Sequence, residues 1–281
     1  MSRSDCRLRF ESFGAVGEVV CDDRLLFESL PGALPPGWRE TGDEPVARFE
    51  LTGDGRITLD GVEFFHNEVG RSEPLLRLGS VIRHHLALHA PAHAFIHAGV
   101  VGVGGLAIVA PGSSHSGKTT LVAELVRAGA LYYSDEYAVV DSIGMIHPYA
   151  KPLSVRVKGK DHLGVPVAVP DTQTAAEPIR AGLIVVTNYE ADTKWRPTTL
   201  TGGEGALALL AHTVAARPRP RQSLAAASQL SRDALVISGA RGESDEIAQL
   251  LIDAVSQRLS PACTRREKSS QFSLDKAGSG G

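Results

Sequence analysis

The sequence contains few cysteines, and none of them is paired at a metal-binding spacing. Cys6, Cys21 and Cys263 are the three cysteines among 281 residues, and they lie far apart along the chain. A disulfide framework typically uses an even number of closely spaced cysteines, and a thiolate zinc site uses C-x-x-C pairs. The sequence therefore argues against a small disulfide-stabilised domain and against a thiolate zinc centre.

Long apolar runs and a strong excess of charge are also missing. No stretch reaches 18 apolar residues, so no transmembrane helix is predicted, and the start MSRSDCRLRFESF lacks the apolar core of a secretory signal. The formal net charge of −3 gives no general attraction to nucleic acid or anionic lipid. We expect a cytoplasmic protein with no nucleic-acid or membrane partner, and the sequence leaves a homo-oligomer open.

The first part of the chain is predicted to be rich in β-structure. CRLRFESF and PVARFELTG alternate apolar and polar residues, and GRITLDGVEFF carries an Asp-Gly turn signal at 60–61. The Pro/Gly-rich segment 30–38 is predicted to be a loop. Apolar residues at roughly helical spacing predict a helix over 73–90, which Pro91 ends.

The rest of the chain alternates strand and helix signals, which is typical of an α/β domain. Two apolar runs in 94–111 predict a hairpin. Further strands are expected at 130–137, 182–187 and 234–239, and an amphipathic helix at 243–259. The stripe expected to be buried on that helix consists of Ile247, Leu250, Leu251, Ala254, Val255 and Leu259.

Residues 112–120, GSSHSGKTT, match the phosphate-binding pattern G-x-x-x-x-G-K-[ST] between a predicted strand and a predicted helix. In such a loop, backbone N–H groups and a helix N-terminus surround phosphate, lysine neutralises the β/γ oxygens, and the hydroxyl after it holds Mg²⁺. These roles fall to Lys118 and Thr119. The residues expected to bind nucleotide are Gly112, Ser113, Ser114, His115, Ser116, Gly117, Lys118, Thr119 and Thr120.

Two acids follow the loop after room for one helix and one strand. Asp135 lies 17 residues beyond Lys118, and Glu136 is next to it. At the carboxyl end of a neighbouring strand, these acids would face the phosphate site. Phosphoryl transfer uses a metal and a carboxylate that takes the acceptor's proton. Asp135 and Glu136 are therefore candidates for the base and a metal contact, and a simple strand-ending turn is the alternative.

The order of His97, the hairpin, the loop and YSDE resembles the catalytic domain of HPr kinase/phosphorylase, whose fold is related to that of phosphoenolpyruvate carboxykinase. The resemblance covers roughly 94–160 and is looser over 161–260. It implies a P-loop kinase core of mixed sheet and flanking helices, with His97 as the active-site histidine and Asp135 as the catalytic carboxylate. Glu136 stands where a second aspartate is expected.

The pattern departs from that family within PLSVR (152–156), which is similar to the family signature LEVRG. Ser154 occupies the position of a glutamate implicated in metal binding, and Val157 that of a glycine. HPYAKPLSVR looks closer to the HPr-kinase-like proteins of bacterial peptide biosynthesis clusters, some of which phosphorylate a serine on a precursor peptide. The resemblance thus implies an ATP- and Mg²⁺-dependent kinase acting on a Ser/Thr hydroxyl of a peptide or protein.

Two other functions fit the loop as well: a small-metabolite P-loop kinase, and a nucleotide-binding regulatory module without transfer. We expect a β-rich region over 1–72, the kinase-like domain over 73–260 and a disordered tail over 261–281. Arg156 is a candidate phosphate ligand and Arg180 a weaker one. RPRPR (217–221) fits either a grip on an acidic acceptor or a plain loop.

The histidines at 84, 85, 89, 93 and 97 form an apparent cluster along the sequence. His85 and His89 have the i,i+4 spacing of a metal pair on a helix. Pro91 breaks the helix before the next histidine, and no acid or cysteine is nearby. A partly buried helix face is therefore favoured over a metal site.

Overall fold

The computed structural model describes residues 6–65, 74–113, 116–155, 165–167 and 169–259. The chain forms two compact units. The first comprises Met1–Phe95 and Thr213–Ser223, and the second Ile96–His212 and Leu224–Gly281. The tail predicted at 261–281 lies outside the described residues. Within the described part of the chain, no helix has the length and apolar character needed to cross a membrane.

The first unit contains a six-stranded mixed sheet in the order β3-β1-β2-β4-β5-β6. β2 and β4 are parallel, and the other neighbours are antiparallel. The strands are β1 Cys6–Ser12, β2 Ala15–Cys21, β3 Arg39–Glu40, β4 Ala47–Leu51, β5 Ile57–Leu59 and β6 Val62–Phe65. The predicted strands are thus confirmed, and the Asp-Gly turn joins β5 to β6.

Two helices belong to this unit, α1 Arg24–Ser29 and α2 Pro74–His89. The sequence did not predict α1, which begins where the Asp23 side chain accepts a hydrogen bond from the Leu26 N–H at 3.0 Å. Part of the predicted loop 30–38 is a short 3₁₀ helix, Leu30–Ala33.

Helix α2 packs its apolar residues against this sheet. Leu78, Ile82 and Leu86 are buried in one core with residues of β1, β2 and β4, including Phe10, Val19 and Phe49. The division of the chain therefore differs from the boundary expected at 72/73. The helix that was assigned to the kinase-like domain packs on the N-terminal sheet, because its apolar stripe and that of the sheet bury each other.

The histidines of α2 are packed rather than arranged as ligands. The His85 ring stacks on His89 at 4.3 Å between centroids and meets Phe49 edge-on. Its Nε2 is buried without a hydrogen-bond partner among the described residues. No group of three or more His, Cys, Asp or Glu side chains in the described ranges is placed to hold a metal ion.

We expect the stability of the first unit to fall as the pH drops from about 6.5 to about 4. Burial, with the neighbouring His89 charge second, lowers the pKa of His85 from 6.5 to about 4. The unfolded chain therefore binds this proton at a higher pH than the folded chain does, and protons favour unfolding in that window. After discounting for solvent near the half-buried ring, the loss is roughly 1–2 kcal/mol.

The measurement is denaturant unfolding across this pH range. His85→Gln should flatten the slope relative to the wild type, whereas His84→Gln, at an exposed position of the same helix, should leave the slope unchanged. An unaltered slope in His85→Gln would show that other groups carry the dependence.

The second unit contains an eight-stranded mixed sheet in the order β11-β10-β7-β8-β14-β16-β15, and β9 also pairs with β7. The strands are β7 Ala94–Val103, β8 Leu106–Pro111, β9 Leu131–Ser134, β10 Tyr137–Val140, β11 Met145–His147, β14 Ile179–Tyr189, β15 Thr198–Thr199 and β16 Leu235–Arg241. A separate pair is formed by β12 Leu153–Val155 and β13 Val165–Val167. The predicted hairpin is β7–β8, which is antiparallel. The α/β class predicted from the sequence is confirmed.

Four helices accompany these strands: α3 Lys118–Arg127, α4 Gly202–Ala211, α5 Pro220–Asp233 and α6 Ser244–Leu259. Leu121, Val122 and Leu125 of α3 share one core with Ile247, Leu251 and Val255 of α6. Gly129 ends α3, with φ of +102°. The N–H of Gly129 bonds to Val126 O and that of Ala130 to Leu125 O, which is a Schellman motif.

Some details of the helices differ from the sequence expectation. Leu250 and Leu259 of α6 are exposed, whereas Ala248 is buried instead. The predicted buried stripe of α6 included too many positions, because half of each turn of this helix faces solvent. The sequence did not predict α4 or α5, and the basic segment 217–221 runs into the start of α5.

Candidate functional site

The glycine loop joins β8 to α3 at the carboxyl edge of the sheet. β8 lies between β7 and β14, and it is parallel to β14. β9 is antiparallel to β7, as β8 is, so β8 and β9 run the same way and end at the same edge. The end of β9 therefore brings the acidic pair to the side of the sheet where the loop begins, as predicted.

Two glycines shape the loop. Gly117 immediately precedes α3 with φ of +79°, a conformation that disfavours side chains. A Cβ at Gly112 would stand 2.7 Å from Ser116 Oγ, so a larger residue there would require the serine side chain to shift. Gly112 N–H donates to His97 O at 3.1 Å, which fixes the start of the loop to β7. The helix N-terminus behind the loop makes this edge suited to an anion.

Lys118 is folded back over its own loop. Its Nζ donates to Gly112 O at 2.8 Å and to Ser113 O at 2.5 Å. Burial lowers the pKa of Lys118, and the nearby Asp135 charge partly offsets this. The ammonium group thus sits in a partly desolvated position, where an attraction to phosphate is stronger than in bulk water.

Asp135 is enclosed within the site, with a side chain only 2% exposed. Its Oδ2 accepts from the Thr119 hydroxyl at 3.2 Å, and its Oδ1 from the Tyr132 hydroxyl at 3.1 Å. Burial, strengthened by the Asp135 charge, raises the pKa of Tyr132, so its hydroxyl keeps its proton and remains a donor. The structure therefore places the hydroxyl of the loop directly against the predicted carboxylate.

Lys151 is a member of the site that the sequence did not reveal. Its Nζ lies 2.9 Å from Asp135 Oδ1 and 3.6 Å from Glu136 Oε2, and its side chain is only 14% exposed. One ammonium group therefore balances part of the charge of both acids. Lys151 lies between β11 and β12, within HPYAKPLSVR, where nothing in the sequence singles out the lysine, so only folding brings it here.

Two histidines border the loop. The His97 ring lies 4.8 Å from the Tyr137 ring between centroids, and the His97 N–H donates to His212 O at 2.8 Å. Burial, followed by the Lys118 charge, lowers the pKa of His212, so this ring is neutral near pH 7. His97 thus joins the loop mainly through its backbone, since its carbonyl receives the Gly112 N–H.

Arg241 supports the loop from the other side. Its side chain is almost fully buried, and its guanidinium donates to Gly117 O at 3.0 Å and to Ser244 Oγ at 2.9 Å. It ends β16, which is parallel to β14. One signal in the sequence would have indicated Arg241 as a site residue: it is a basic residue at the carboxyl end of a predicted strand.

Three candidates, Ser114, His115 and Arg156, lie outside the described residues, and two others are placed as follows. Arg180 pairs with Leu106 at the start of β8, so it lies at the far end of that strand from the loop. Thr120 is an exposed residue in the first turn of α3.

The loop meets the requirements for a polyphosphate and a divalent cation. Ser116 Oγ is buried with no hydrogen-bond partner among the described residues, so a polar group is available inside the loop. Lys118 supplies the positive charge, and the Thr119 hydroxyl adjoins a carboxylate. Mg²⁺ with a phosphate substrate needs only one or two carboxylates from the protein, because phosphate and water supply the rest. Thr119 and Glu136 are suitable for that purpose.

Comparison with solved structures gives a distant similarity. The chain is similar to the structure of the Hpr(Ser) kinase/phosphatase from Coxiella burnetii at 12% sequence identity and a TM-score of 0.31, over 66% of this chain and 99% of that chain. No protein-family model matches the chain, and no curated protein matches it. A TM-score of 0.31 is too low for a functional argument, so the function rests on the site itself.

Proposed function

We propose that the protein is an ATP-dependent kinase that transfers the γ-phosphate to a Ser/Thr hydroxyl of a peptide or protein. One observation carries the proposal: the hydroxyl of Thr119, in the first turn of α3 after the glycine loop, lies 3.2 Å from a carboxylate oxygen of Asp135, in the bend that follows β9. A phosphate-binding loop beside a carboxylate combines the two protein parts that phosphoryl transfer uses.

The roles follow from position. The loop residues 112–120 surround the phosphates, Lys118 neutralises their charge, and Thr119 with Glu136 holds Mg²⁺. When bound, Mg²⁺ supplies positive charge to the phosphate oxygens. Asp135 accepts the proton of the acceptor hydroxyl while the hydroxyl oxygen forms its bond to the γ-phosphorus. The bond between that phosphorus and ADP breaks, and ADP leaves with the electron pair of that bond.

His97 is proposed as a positioning residue in this scheme. Its carbonyl accepts from Gly112 N–H at 3.1 Å, and its ring packs on Tyr137, just after the two acids. It therefore connects the start of the loop to the turn that carries Asp135 and Glu136. The Ala98 N–H, which donates to Glu136 O at 3.2 Å, reinforces that connection.

Replacing Lys151 with methionine is expected to strengthen Mg²⁺ binding in the absence of nucleotide. The variant keeps the length of the side chain but removes the charge that lies 2.9 Å from Asp135. Removing a like charge next to a cation site strengthens cation binding, here by about 10-fold. Titration calorimetry with Mg²⁺ measures the change.

Lys194→Met is the matched control, because Lys194 is exposed and lies outside this arrangement. It should bind Mg²⁺ as the wild type does. Unchanged or weaker binding in Lys151→Met would mean that Lys151 does not compete with the metal for these acids.

The experiment that tests the function is incubation with γ-labelled ATP, Mg²⁺ and candidate acceptors, including the products of adjacent genes. Label on a Ser or Thr of a peptide or protein supports the proposal. Label on a small molecule instead would indicate a metabolite kinase.

A regulatory module that binds nucleotide without transferring phosphate is the second candidate. The Asp135 carboxylate already accepts hydrogen bonds from the Thr119 and Tyr132 hydroxyls and pairs with the Lys151 ammonium group. These contacts leave it little freedom to take another proton. Tight ATP binding with no transfer to any acceptor would favour this second function.

A further inference from the structure

An aromatic ring stands beside the glycine loop, on the side away from the acids. Tyr189 is the last residue of β14, and its side chain is 48% exposed. The Cβ of Tyr189 lies 3.9 Å from where a Cβ of Gly117 would be, so the ring emerges at the edge of the loop. Such an exposed tyrosine next to a predicted ligand site suggests a binding role.

The ring is held in place at both ends. Its hydroxyl donates to Glu243 Oε1 at 2.8 Å. The guanidinium of Arg241 lies over the ring, 5.7 Å from its centroid, and the same guanidinium donates to Gly117 O. Because a buried cation fixes the ring against the loop, the Tyr189 side chain is ordered before a ligand stacks on it. Binding therefore costs little side-chain entropy at this residue.

The ring and the acids occupy opposite sides of the loop strand. Asp135 follows β9, which pairs with β7 on one side of β8, whereas Tyr189 ends β14 on the other side. A polyphosphate whose metal-binding end is at Thr119 and Glu136 therefore extends its other end toward β14. In a nucleoside triphosphate, that other end carries the base.

We propose that the Tyr189 ring is the surface on which the nucleotide base stacks, with Arg241 holding it against the phosphate loop. This inference rests on the proposed nucleotide-binding function and names the part of the site that recognises the base. Stacking is open to any base, because every base has a π-face, so this contact favours nucleotides over inorganic polyphosphate without selecting among bases.

The test compares Mg²⁺–ATP with Mg²⁺–tripolyphosphate, which has the phosphates but no base, by titration calorimetry. Tyr189→Ala should weaken ATP binding by about 10- to 100-fold, the usual loss for one stacked base, and leave tripolyphosphate binding within about twofold. Tyr189→Phe keeps the ring and loses only the hydroxyl bond to Glu243, so it should stay within about threefold of the wild type for both ligands.

Tripolyphosphate binding also reports whether the loop is intact in each variant. Equal losses for both ligands in Tyr189→Ala would show that the ring only supports the loop, and unchanged ATP binding would show that no base stacks there. Either result overturns the inference while the phosphate site stands. A wild-type protein that binds neither ligand would overturn the proposed function as well.

Discussion

Replacing Lys118 with alanine is expected to abolish nucleotide-dependent phosphate transfer. Lys118 is the cation that the loop places over its own carbonyls, 2.8 Å from Gly112 O. Without it, the charge that develops on the phosphate oxygens has no direct partner in the loop, and losses of 10²- to 10³-fold or more follow from removing one such group. Single-turnover transfer from γ-labelled ATP measures the effect.

Two comparisons define the result. Lys118→Met keeps the aliphatic part of the side chain and should be as inactive as the alanine variant, because charge and not packing is the cause. Lys194→Ala removes an exposed lysine and should be fully active. Near-normal turnover in Lys118→Ala would mean that the loop does not bind phosphate.

Replacing Asp135 with asparagine is expected to remove transfer by about 10²- to 10⁴-fold while leaving ATP affinity nearly intact. A base acts on a proton in the transition state, so its loss appears in turnover. Asparagine retains the shape of the side chain. Its one amide oxygen can still accept from the Tyr132 hydroxyl, and its NH2 group can donate to the Thr119 hydroxyl oxygen, which keeps the local fold. ATP binding with and without Mg²⁺, together with single-turnover transfer, separates the two effects.

Glu136→Gln is the matched variant, since it removes the neighbouring carboxylate. It should weaken Mg²⁺-dependent ATP binding, because Ser154 stands where the resembled family has a metal-binding glutamate. If the Asp135→Asn variant loses ATP binding but transfers phosphate normally once ATP is bound, Asp135 is the metal contact and Glu136 is the base. If both variants behave like the wild type, the non-catalytic binding module is the better description.

Local patterns in the sequence predicted much of the second unit correctly. The segment 112–120 connects β8 to α3 and includes the first turn of that helix, and the continuous apolar run at 182–187 is the inner part of β14. These predictions succeeded because the signals behind them, turn-forming residues and apolar periodicity, each lie within a short stretch of the sequence. Helix α4 was not predicted, although Thr201 and Glu204 form a capping box at its start. Its GGEGALALLA segment begins with two glycines, which suggest a turn by composition.

The sequence by itself determined the glycine loop, its lysine and hydroxyl, and the acidic pair one strand later, because these lie within 25 residues and follow from local spacing. Only the tertiary structure decided which side chains surround them. Lys151 reaches Asp135 from the segment between β11 and β12, and Arg241 reaches Gly117 from 124 residues away. It also decided that α2 covers the N-terminal sheet. Such contacts depend on which apolar faces bury each other and on strand order, and neither is encoded in any single stretch of the chain.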